Sequence, residues 1–291
     1  MKLKLAQRIA IGYYKTKFRA LSVISPELAA RSAFRLFCTP YSGKPRRKTP
    51  PVFENAESVG FALNEVRLQG WRWKPLQYRG KKVLIVHGFD SCSYRFEQYI
   101  APLNHQGFEV VAFDAPGHGN SGGKTINALA YAQAILKAEA MFGEFYAIIA
   151  HSLGGLAAAL AFEQLDRQGQ RRLVLLAPTT ETDTAIQNFF RMVQVPEKTK
   201  SAFQQVIEQV GKQPVRHFSV NRAIRNIHAP VLWIHDEEDR ICPYADTLPV
   251  QERRQQNVEF YITRGLGHSG IYRHHTVFEK VMSFLREGWS E

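Results

Sequence analysis

Mostly apolar runs recur along the middle and end of this chain, at Lys82–Val86, Phe108–Phe113, Phe145–Ile149, Leu173–Leu176, Pro230–Ile234 and Val258–Ile262. A strand that is apolar at nearly every position, rather than at every second one, is covered on both faces. Between these runs the period lengthens to that of a helix, over about 94–106, 125–142, 156–162 and 275–286. Strand and helix in alternation predict an α/β fold with a mostly parallel central sheet and helices on both faces.

The alternation is interrupted at both ends of the sheet. Before it, Phe61–Leu68 and Trp71–Pro75 surround Gly70 as a hairpin, with Gln77–Arg79 extending its second arm. After Pro178, residues 179–226 carry helical stretches (185–193 and 197–211) with no strand between them, which predicts a small helical lid inserted into the sheet domain. Phe189, Phe190 and Met192 are its candidate pocket residues. At the N-terminus, residues 3–24 have the spacing of an amphipathic helix. Ser25-Pro26-Glu27 supplies an N-cap, a first-turn proline and a first-turn acid for a second helix to about residue 37. Pro40, Gly43, Pro45, Pro50 and Pro51 then break regular structure. The expected organisation is a basic helical arm and linker over 1–56, followed by one α/β domain over 57–291.

Charge changes the picture of the arm. The 291 residues carry a net charge of +12, but residues 1–50 hold twelve Lys or Arg against the single acid Glu27, so the rest of the chain is nearly neutral. A basic surface confined to an arm argues against a nucleic-acid interface spread over the body. A basic helix with an apolar face can associate peripherally with anionic membrane through residues 1–50, or pack on the protein's own body with its charges in water. No stretch of 18 uncharged apolar residues exists, and Lys and Arg interrupt the start where a signal peptide would be apolar. Three widely spaced cysteines, Cys38, Cys92 and Cys242, suit a reducing compartment, so a cytoplasmic protein is expected.

The chemistry-bearing residues stand where strands end. Ala150-His151-Ser152-Leu153-Gly154-Gly155 joins an apolar strand to a helix-forming run, with small residues two places either side of Ser152. His268 lies between glycines in Gly265-Leu266-Gly267-His268-Ser269-Gly270, beyond the last strand. Four acids, Asp236, Glu237, Glu238 and Asp239, follow the strand that ends at Ile234. His87-Gly88-Phe89 follows the first buried strand. Asp114–Gly123 is a glycine-rich turn, but a phosphate loop would need glycine where His118 stands. A nucleophile, a base to take its proton, an acid to hold the base, and N–H groups for an oxyanion are the parts that acyl transfer needs.

Taken in order, these motifs resemble those of the alpha/beta-hydrolase-fold serine hydrolases over about residues 59–287. The resemblance implies that Ser152 is the nucleophile on its elbow and His268 the base, since the family runs in the order Ser, Asp, His. It matches the triad acid to Asp239, with Asp236 and Glu238 as fallbacks. The backbone N–H groups of Phe89 and Leu153 then form the oxyanion hole, and His87 is a structural loop histidine. The arm and Ala150, in place of the elbow's first glycine, depart from the family pattern. The implied function is hydrolysis of a carboxylic ester or thioester through an acyl-enzyme, with no metal or organic cofactor. Relatives with an aspartate nucleophile are disfavoured by the serine at 152. Peptidase, acyltransferase and carbon–carbon hydrolase chemistry share the same parts, and a non-catalytic membrane-docking protein on the same scaffold is the contrasting reading.

Overall fold

The computed structural model describes residues 5–41 and 48–287. Lys2 and Lys4 of the basic arm, and Gly43 to Arg47 of the linker, lie outside the described residues. In chain order the main elements are α1 (Leu5–Ile24), α2 (Pro26–Phe37), α3 (Pro51–Glu54), β1 (Glu57–Leu63), β2 (Val66–Trp73), β3 (Lys82–Val86), α4 (Glu97–His105) and β4 (Glu109–Phe113). They continue with α5 (Ala128–Phe142), β5 (Ala147–His151), α6 (Leu153–Phe162), β6 (Arg172–Leu176), α7 (Thr182–Val193), α8 (Glu197–Gly211), β7 (Val231–Asp236) and β8 (Val258–Thr263). A C-terminal helix spans His275–Arg286. The chain packs as two compact units, Met1–Thr39 with Glu181–Phe218, and Pro40–Thr180 with Ser219–Glu291.

The larger unit is built on one eight-stranded sheet in the order β1-β2-β4-β3-β5-β6-β7-β8. From β4 to β8 every pairing is parallel, and β1 and β2 add an antiparallel edge. Alternate residues explain why the strands are apolar throughout. Val83, Ile85, Val110, Ala112, Ala147, Ile149, Val174 and Ile234 share a core with Phe96, Tyr99, Leu103, Val281 and Leu285, from the α4 side and the C-terminal helix. Their neighbours Leu84, Val111, Ile148 and Leu175 are also fully buried, pointing to the opposite face. Trp233, fully buried on β7, stacks on Phe260 with ring centroids 5.3 Å apart.

Gly70 does not make the hairpin turn. The turn is Asn64-Glu65, with Asn64 in the left-handed region at φ 52°, and Gly70 sits inside β2. A Cβ there would fall 3.0 Å from Ala112 O and 3.2 Å from Phe113 Cβ, so the glycine serves close strand approach rather than a turn. Gln77–Arg79 likewise lies outside any strand. Pro51, read as a breaker, opens α3, because a first-turn position needs no N–H donor. This short helix places Phe53 edge-on against Trp71, Trp73 and Tyr94, with centroids 4.5–5.2 Å apart.

In the smaller unit, α2 packs against α8, and α1 against α2 and α7. Phe37 meets Phe189 at 5.3 Å and Phe203 at 5.9 Å, and Phe190 meets Phe203 at 5.0 Å. A buried hydroxyl pair, Thr199 donating to Ser22 at 2.9 Å, ties α8 to α1. For the larger unit, Trp233→Ala is expected to lower the urea-unfolding free energy by about 3–5 kcal/mol, since the indole has no solvent-exposed edge to lose.

Candidate active site

β5 ends at His151 and α6 starts at Leu153, so Ser152 alone turns the chain. Its backbone takes φ 55° and ψ −123°, a strained conformation for a residue with a side chain. Three hydrogen bonds hold it there. Ser152 N–H donates to Leu176 O at 3.1 Å, and its carbonyl accepts from Thr179 N–H at 3.0 Å and Gly155 N–H at 2.9 Å. The glycines around it are required by contact. A Cβ on Gly154 would fall 2.4 Å from His87 O, one on Gly155 2.7 Å from Pro178 Cβ, and one on Gly88 2.8 Å from the Cβ of Ser152 itself.

His268 arrives on a loop whose glycines serve a different need. Gly265 (φ 82°) and Gly267 (φ 60°) have open space where a Cβ would be, so their role is the left-handed backbone. The loop brings His268 Nε2 to 3.0 Å from Ser152 Oγ and Nδ1 to 2.8 Å from Asp239 Oδ2. A carboxylate only accepts, so Nδ1 carries the proton and Nε2 is left to accept from the serine hydroxyl.

Of the four competing acids, Asp239 is the one that meets the imidazole. Its other oxygen accepts from Ile241 N–H at 2.8 Å and Cys242 N–H at 3.0 Å, which fixes the carboxylate. Asp236 instead accepts from Glu238 N–H (3.0 Å), the Thr263 hydroxyl (2.8 Å) and Leu266 N–H (2.9 Å), so it positions the segment leading to His268. Burial works against its charge, yet these donors hold its pKa below the usual value. Glu237 and Glu238 face Arg264 at the surface.

Histidines cluster at the C-terminal ends of the strands with opposite electrostatics, among them His235, whose pKa burial lowers. Burial lowers His87 and His118 to about 4 and takes His151 well below its ordinary value. The Nδ1–H of His87 donates to Gly88 O at 2.8 Å and its Nε2 accepts from Ala115 N–H at 3.0 Å, so both ring nitrogens are engaged by loop backbone. Burial also acts to lower His268, but Asp239 and the nearby Cys242 thiol outweigh it and raise the imidazole above its ordinary 6.5.

The two expected oxyanion donors flank the serine. Leu153 N–H lies in the first turn of α6, where a helix has no internal acceptor for it, and Phe89 follows the Gly88 that packs on Ser152. Neither N–H has a backbone acceptor among the described residues. Phe189 and Phe190 are buried among aromatic rings of their own unit, and Met192 is partly exposed.

His151 is the member that motif reading passed over. Its Nε2–H donates to His268 O at 2.9 Å, and its ring lies 4.7 Å from both His268 and Tyr272. Its one signal in the sequence is adjacency to Ser152.

Comparison with known proteins agrees with this architecture. A family model described as serine aminopeptidase, S33, matches residues 78–213. The chain has the alpha/beta-hydrolase fold. Among solved structures, an esterase of Pyrococcus furiosus is 20% identical, with a TM-score of 0.61 over 86% of this chain and 98% of that one. An alpha/beta hydrolase of Penicillium sp. sh18 is 17% identical, with a TM-score of 0.60 over 80% and 98%. A bacterial membrane phospholipase A is 15% identical, with a TM-score of 0.60 over 97% and 99%. No curated protein sequence matches the chain.

As an alpha/beta-hydrolase-fold protein, the chain has an elbow that depends on a missing Cβ at position 88. Gly88→Ala is expected to displace Ser152 and cut kcat/KM on any turned-over ester by about 100-fold or more, with the fold intact by circular dichroism. Activity at the wild-type level would show that the loop yields at no cost.

Proposed function

We propose that the protein is a serine hydrolase that cleaves a carboxylic ester or thioester through an acyl-enzyme. The observation that carries this reading is the relay of Ser152, His268 and Asp239, with contacts of 3.0 and 2.8 Å, anchored on a strained strand-to-helix turn.

In the proposed cycle, His268 Nε2 takes the hydroxyl proton as Ser152 Oγ attacks the carbonyl carbon. Phe89 and Leu153 N–H groups receive the developing oxyanion, and Asp239 stabilises the imidazolium. The protonated Nε2 then gives its proton to the leaving alcohol or thiol as the carbon–oxygen or carbon–sulfur bond breaks. Water, deprotonated by the same imidazole, attacks the acyl-serine carbonyl, and the imidazolium then returns that proton to Ser152 Oγ as the acyl–oxygen bond breaks and the acid is released.

The matching family model is described as an aminopeptidase, which favours amide cleavage as a second reading. The same serine would attack either carbonyl, so the leaving group must be tested directly. A panel of nitrophenyl esters and acyl-thioesters of graded chain length, beside aminoacyl nitroanilides, separates them. Ester or thioester turnover is expected, with Ser152→Ala lowering kcat by at least about 10³-fold and abolishing labelling by a fluorophosphonate probe. Turnover confined to the anilides would favour the peptidase reading, and full activity in Ser152→Ala would sink both.

The raised pKa of His268 sets the pH dependence. The imidazole keeps its proton to a higher pH than free histidine, and only the deprotonated form can act as base, so kcat/KM should climb through an acid limb centred above 6.5. Asp239→Asn removes the raising carboxylate. It should move that limb downward and reduce kcat by about 10²–10⁴-fold. A limb that stays in place after the substitution would remove Asp239 from this role.

A further inference from the structure

α1 is amphipathic in an inverted sense for a helix on a protein surface. Its inward side is marked by the buried Phe18 and Ser22, with Ile11, Tyr14 and Leu21 partly covered beside them. At 100° per residue, Leu5, Ile9, Tyr13, Thr16, Ala20 and Val23 fall on the side opposite Phe18. All six are exposed and none is charged; Leu5 is 71%, Ile9 65%, Tyr13 61% and Val23 79% accessible. A helix of ordinary surface design places its charges there.

The charges lie instead along the flanks. Arg8, Lys15 and Arg19 border the exposed apolar side on one edge and Lys17 on the other, and Leu5–Ile24 contains no acid. Arg19 also donates to Gln194 Oε1 at 3.2 Å within the same unit. Solvent gives no reason to expose that many large apolar side chains in one stripe. A bilayer does, because an interfacial helix sinks its apolar side into the acyl boundary while flanking Lys and Arg reach the headgroup phosphates. Four cations and no acid select an anionic leaflet. No helix among the described residues is long and apolar enough to cross a membrane, so the fitting geometry is a helix lying in the surface.

We propose that the outward side of α1 docks the protein on an anionic lipid bilayer, with Leu5, Ile9, Tyr13 and Val23 inserted and Arg8, Lys15, Lys17 and Arg19 at the headgroups. The inference is independent of the chemistry proposed for Ser152, because its readout is binding. The full-length protein would be co-sedimented with vesicles of phosphatidylcholine alone and of phosphatidylcholine with 30% phosphatidylglycerol, at about 0.1 and 0.5 M salt. Partition onto the anionic vesicles should be at least tenfold stronger than onto the neutral ones and should weaken at the higher salt. The double variant I9E/Y13E should lose at least tenfold of it. Both positions are exposed, so its melting temperature should match the wild type, and a second variant, R8E/K17E, should lose binding without touching the apolar stripe. Equal partition of wild type and I9E/Y13E would overturn the proposal, as would absence of binding to anionic vesicles. So would a concentration-dependent dimer in sedimentation velocity, without lipid, that I9E/Y13E dissolves, because the stripe would then pair two copies of this chain.

Discussion

A serine with φ 55° holds its conformation only because the surrounding backbone leaves it nowhere else to go. Ser152 is tied to the end of β6 and the loop after it through Leu176 and Thr179, while Gly88 packs on Ser152 itself and Gly154 and Gly155 on His87 and Pro178, at distances no side chain tolerates. Each of those contacts depends on the parallel register of β3, β5 and β6, which brings Val86 beside Ala150 and His151 beside Leu176. The sheet is therefore the source of the strain at the serine, and the strain is what lifts the hydroxyl out of the strand and presents it to His268.

Around that hydroxyl the histidines are sorted by environment. In His87, His118 and His151 burial dominates and lowers the pKa, even though Asp114 lies 3.9 Å from His87 Nε2, and each ring hydrogen-bonds to backbone. His268 is also buried, but a carboxylate 2.8 Å away reverses the sign of the shift. Asp236 acts indirectly by accepting Leu266 N–H, which fixes the loop two residues before His268. His151 holds the same loop from the other end, through the carbonyl of His268.

The smaller unit follows a different logic. Its core is aromatic and joins segments far apart in the chain, with Phe34 and Phe37 from α2 meeting Phe189 and Phe203 from α7 and α8. With Phe18 and Ser22 turned toward its neighbours, α1 still carries Leu5, Ile9, Tyr13 and Val23 on the outside.

Much of the fold was legible in the sequence because the signals are local. Strands buried on both faces need apolar side chains at nearly every position, and Lys82–Val86, Glu109–Phe113 and Ala147–His151 appear where those runs stand. A glycine-flanked serine between strand and helix, and a glycine-flanked histidine after the last strand, are also local patterns, and the structure brings that serine and that histidine together. What required the tertiary structure depends on which segments meet. Gly70 read as a turn because a glycine's sequence context does not show whether it bends the chain or admits a neighbouring strand. The division of labour between Asp236 and Asp239 is invisible in a run of four acids, since the imidazole that separates them comes from about thirty residues later. His151 offered only its adjacency to Ser152 as a cue, because its partner is a backbone carbonyl, which every residue has. The side of α1 that faces inward was likewise undetermined, because periodicity shows that a helix has two faces and only the packed neighbours decide which one is covered.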